Sequence, residues 1–122
     1  MTEKYWKESI KSAAVSAGTY RPFFDAVIDT LASILARRDK AEEEFEASGG
    51  EVVVWRTNVK GAENMEQNPI LRLINDLNRD ALAYWRDLGL TPAGLKRINE
   101  TAMKEKRKES ALEKALMNLG GA

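Results

Sequence analysis

The 122 residues suit one compact domain, and a 43% hydrophobic content gives that domain enough apolar surface to fold. Lys and Arg together number 19, as do Asp and Glu, so the formal charge is zero and any polyanion must be held by a local patch. With no Cys and no His, the sequence has no disulfide, thiolate zinc site, cysteine nucleophile or imidazole base, and it carries no GxxxxGK[ST] phosphate loop.

These absences predict a protein with no catalytic residues, no metal and no cofactor. No apolar run approaches the ~18 residues of a membrane span, and MTEKYWKESIKS has no apolar leader core. The expectation is a cytoplasmic protein without a membrane partner.

From Thr2 to Val15, Tyr5, Trp6, Ile10 and Ala13 or Ala14 line one face of a short amphipathic helix, which Ala17-Gly18-Thr19 ends. Pro22 then fits the first turn of a longer helix. Its Phe24, Val27, Ile28, Leu31, Ile34, Leu35 and Phe45 recur at three- and four-residue steps, a stripe about 140° wide at 3.6 residues per turn. Ser48-Gly49-Gly50 stops it.

Glu51 to Arg56 reads EVVVWR, a β-branched and aromatic run too short for a helix, and Thr57-Asn58-Val59-Lys60-Gly61 offers turn chemistry. A small β-hairpin or extended arm is predicted. Asn68-Pro69 supplies a cap and a first-turn proline for the next helix, whose Ile70, Ile74, Leu77, Ala81, Tyr84 and Leu88 follow a four-three spacing. Leu71, Leu82 and Trp85 widen that seam to about half the circumference. One antiparallel partner covers less than this, so Leu71, Leu82 and Trp85 are candidates for an outward-facing subunit contact.

Gly89 ends the helix, and Thr91-Pro92 starts another through Leu95 and Ile98. Thr101 to Asn118 is helix-prone, with Gly120-Gly121 closing it. The pattern predicts a single, mainly α domain. An N-terminal helix (1–18) and a C-terminal helical segment (91–122) flank a core (21–89), in which two long antiparallel helices are joined by the β-arm.

Three basic groups are candidates for contacting phosphates. Lys4, Lys7 and Lys11 share a face of the first helix, and Lys104, Lys106, Arg107 and Lys108 form a denser cluster. Lys96 and Arg97 lie just after Thr91-Pro92, at the start of a helix that follows a short turn. Arg37, Arg38 and Lys40 give way to Glu42, Glu43, Glu44 and Glu46, a segregation suited to head-to-tail subunit contacts. Asp76, Asp80 and Asp87 read as partners of Arg72, Arg79 and Arg86 on a solvated helix face. Trp55, on the arm with Val52 and Val54, is a candidate for insertion into a neighbouring subunit.

The block NPILRLINDLNRDALAYWRDLGLTPAGLKRI, from Asn68 to Ile98, resembles the small subunit of phage terminase, and within it the short P-twenty-seven family. The shared features are the Asn-Pro start, the Leu-rich helix with regularly placed Arg and Asp, and the closing LGLTP. A long helix, a Gly and a valine-rich extended segment precede the block, here Arg21 to Gly50 and Val52 to Val54. Where the family often continues with Ser and two Arg flanking an Ala, this chain has Ala93-Gly94-Leu95-Lys96-Arg97, and only Arg97 keeps the basic pattern.

The resemblance implies a non-catalytic, ring-forming homo-oligomer in the host bacterial cytoplasm. It would bind double-stranded phage DNA and present it to the large terminase subunit, which carries the ATPase and nuclease. A rival reading is a small helical transcription regulator or antitoxin that binds DNA as a simple dimer.

Overall fold

The computed structural model describes residues 1–120. Helix α1, Glu3–Ala17, is capped by the Thr2 hydroxyl, which accepts a hydrogen bond from the Tyr5 amide at 3.2 Å. Pro22–Phe24 forms one 3-10 turn that runs directly into α2, Asp25–Ala47. The glycine pair beyond α2 takes φ of 109° and 66°, a region closed to most side chains, and so turns the chain sharply out of the helix.

Strands β1, Val53–Thr57, and β2, Glu63–Gln67, form an antiparallel hairpin in which Trp55 pairs with Met65. Asn58 builds its turn, its side-chain oxygen accepting from the amides of Lys60 and Ala62 at 2.9 Å each. The sequence pattern announces β1 but not β2, because Glu-Asn-Met-Glu-Gln is exposed along its whole length and needs no alternation of apolar and polar residues.

Helix α3, Pro69–Asp87, starts at Asn68, whose side-chain oxygen accepts from the Ile70 amide at 3.0 Å. The same side chain donates to the Glu51 carbonyl at 2.9 Å, and its own amide donates to the Val52 carbonyl. One buried residue therefore caps α3 and clips down the base of the arm.

Helices α2 and α3 run antiparallel. Arg38 meets Asn78 midway along the pair, and Thr19, just before α2, lies against Gly89 at the end where α3 stops. Ile28, Leu31, Ala32 and Leu35 of α2 join Ala81 and Leu88 and, from α1, Ile10 in one buried core. The predicted stripe and seam are the surfaces that meet.

The expectation of smaller helices at both ends needs correcting at the C-terminus. Pro92–Gly120 is a single helix, α4, of 29 residues and the longest in the chain. Its sequence carries no break after Ile98, so the helix continues although the body no longer supports it. Gly121, predicted as part of its stop, lies outside the described residues. The described residues are mainly helical, with one two-stranded sheet.

Candidate nucleic-acid interface

The three basic groups stand in different surroundings. On α1, Lys7 pairs with Asp29 of α2 at 3.6 Å and with Glu3 at 4.0 Å, and Lys11 lies 5.0 Å over the Tyr20 ring. Lys4 is exposed. Two of these three lysines therefore help to fasten α1 to the body. Arg38 is likewise turned inward, packing over Trp6 at 5.6 Å and donating to Asp39 and Asn78.

Asp39 is the centre of that contact. It accepts from the Trp6 indole N–H at 2.7 Å and lies 3.4 Å from the N-terminal ammonium. Burial pushes its carboxyl pKa up, but the hydrogen bonds from Trp6 and Arg38 and the two nearby positive charges outweigh burial and hold it below the ordinary 3.8.

The cations of α4 are presented outward. Lys104, Lys106, Arg107 and Lys108 are all exposed and, among the described residues, make no ion pair. Lys96 pairs loosely with Glu100 at 4.0 Å, and Arg97 is exposed. The depressions along this helix are open grooves edged by side chains such as Lys96, Met103 and Arg107.

Gly94 sets how α4 leaves the body. A Cβ there would run into the Arg86 carbonyl oxygen, and its amide donates to the Thr91 hydroxyl at 3.0 Å. Gly94 thus lets α4 start directly against the end of α3.

The predicted subunit surface is divided. Val52 and Trp55 are exposed, at 59% and 67%, and Leu82 is 48% exposed on the outer side of α3. Val54 and Leu71 are half-buried, and Trp85 packs onto the body's own core instead of facing out. Sequence reasoning missed Met65, which shares Trp55's face of the hairpin, and Leu73, on the edge of α3 away from Leu82. The register of β2 would have revealed the first, and Leu73's position off the four-three seam is the signal for the second. Of the three predicted acid–base pairings on α3, Arg79 with Asp76 forms, at 3.7 Å.

Among the described residues no group of three or more Asp or Glu side chains is arranged to hold a metal, and no helix is long and apolar enough to cross a membrane. The surfaces that stand out are helix faces and a β-arm, a form suited to binding macromolecules. A family model described as phage terminase, small subunit, matches residues 3–105, and the chain belongs to that family. No curated protein and no solved structure matches significantly. Membership assigns the chain to phage DNA packaging in general terms, a process of the infected host's cytoplasm, and small subunits of terminases are generally non-catalytic adaptors.

Proposed function

We propose that this chain is the DNA-recognition adaptor of a phage packaging motor. It is a non-catalytic homo-oligomer that assembles as a ring, binds double-stranded phage DNA and delivers it to the large terminase subunit. The family match over residues 3–105 carries this reading. The outward cations of α4 and the apolar residues of the arm and of α3 support its two surfaces.

DNA is held chiefly by Lys104, Lys106, Arg107 and Lys108, with Lys96 and Arg97 beside them. Lys4, Lys7 and Lys11 contribute less, because Lys7 and Lys11 already have partners within the chain. Subunits meet through the exposed Val52, Trp55 and Leu82, apolar side chains of the kind monomers seldom leave uncovered, with the half-buried Val54 and Leu71 and the edge of Trp85 beside them.

Gel shift on duplex DNA at several salt concentrations tests the DNA surface. Replacing the four α4 cations by Ala weakens binding and reduces the salt slope by roughly 3–4, at ~0.9 per phosphate contact. Replacing the three α1 lysines has the smaller effect, and parent-like binding by both variants removes these surfaces from the reading. For the ring, Leu82→Asp shifts the oligomer toward monomer in light scattering with helicity intact. A parent protein that is monomeric at tens of micromolar rejects the ring.

A further inference from the structure

Beyond Asn99, α4 parts from the body and every residue through Gly120 is exposed. Most of this segment lies past the family match, which ends at residue 105. Leu112, Leu116 and Leu119 are 62%, 59% and 79% exposed. Projected at about 100° per residue, they fall with Ile98 in one stripe roughly 60° wide, interrupted by Glu105. Lys104 and Lys108 line one flank of the stripe, and Glu109 and Glu113 line the other.

We infer that this face packs side by side and parallel against α4 of a second copy of the chain, burying the leucine stripe between basic and acidic flanks. Charge complementarity selects the arrangement. In parallel helices a flanking residue meets the residue five positions further along on its neighbour. Lys108 and Glu113 have that spacing, and Lys104 and Glu109 repeat it one turn earlier. In an antiparallel pair each flank would meet its own kind, cation against cation. The inference rests on the oligomeric reading above and adds a second contact, in which Lys104 and Lys108 flank the buried stripe at its solvent edge and keep a free side toward phosphates, as Lys106 and Arg107 do.

The chain has no cysteine, so one introduced thiol reports alone. Leu116→Cys in the full chain lies on the stripe, where parallel packing brings two copies of the same position together. Ser110→Cys, on the opposite side of the helix, is the control. Mild oxidation is expected to give a disulfide-linked dimer of Leu116→Cys on a non-reducing gel and little from Ser110→Cys. Adding Lys108→Glu lowers the yield roughly 2- to 5-fold, and adding Glu113→Lys to that variant restores it.

Equal cross-linking at positions 116 and 110, or no restoration by the charge swap, overturns the inference. If Leu82→Asp breaks the oligomer while position 116 fails to cross-link, the ring reading survives and this one falls. Cross-linking that persists when Leu82→Asp leaves the oligomer intact keeps this inference and removes Leu82 from the subunit contact. A monomeric parent rejects both.

Discussion

The body formed by α1, α2 and α3 and the outer half of α4 use leucine in opposite ways. Leu31, Leu35 and Leu88 are exposed by 1% or less, whereas Leu112, Leu116 and Leu119 stand largely in solvent on a helix of equally regular geometry. Helix formation and burial are thus separate outcomes. In the body, packing of apolar faces supplies most of the helical stability. The outer turns of α4 depend on local propensity, charge pairs along the helix and whatever covers their apolar stripe.

The contrast is broken most directly by placing the same charge in both regions. Leu77→Asp puts a carboxylate in the seam of α3 and is expected to cost about 3–5 kcal/mol, enough to unfold the body. Leu116→Asp changes the stability of the body itself by less than about 0.5 kcal/mol, because that side chain is exposed within the chain and packs on none of the body's core. Chemical denaturation followed by circular dichroism measures both. Comparable losses would mean that the two regions fold as one unit.

The junction between the regions gives the next effect. Gly94→Ala presses a methyl group onto the Arg86 carbonyl and is expected to cost about 1–3 kcal/mol, with faster amide exchange in Leu95 to Ile98. A neutral result would mean that α4 pivots freely at its base and that the glycine has no positional role.

Within the body, Asp39→Ala leaves the Trp6 indole N–H without its acceptor and is expected to cost about 1–2 kcal/mol. Because the Asp39 carboxyl titrates lower in the folded chain than its ordinary 3.8, its contribution is complete above that value. It is lost as pH falls below 3.8 and through the folded value. Asp39→Asn should flatten the stability profile in that acid window, and a profile identical to the parent's would remove Asp39 from the account.

Two smaller effects sharpen the picture. Asn68→Ala is expected to cost about 1 kcal/mol and to speed amide exchange in Val53–Thr57, since the residue both caps α3 and holds the arm. The half-exposed pair between Lys7 and Asp29 is worth under about 0.5 kcal/mol, so Asp29→Ala should scarcely move the denaturation midpoint.

Much of the architecture was legible because it depends on near neighbours in the chain. Asn68-Pro69 and Gly89 bracket α3, the four-three seam marks its buried side, and the valines after Gly50 announce a strand. Among the candidate site residues, the α4 cluster was readable as a basic patch because its cations crowd into two turns. The α1 lysines looked equivalent, and only their neighbours across space show Lys7 and Lys11 already engaged.

The sequence by itself determined where helices start and stop, which positions are apolar and which family the chain resembles, for these follow from propensity, periodicity and motif order. Tertiary structure decided which element covers each apolar face. It turned Trp85 inward, drew Trp6 and Arg38 into one contact around Asp39, tied Arg38 to Asn78, and gave Asn68 its second role at Glu51. It also left α4 extended and alone beyond Asn99. The physical reason is that a helical stripe is set by spacing along one segment, whereas its burial depends on residues tens of positions away, brought alongside only when the chain packs.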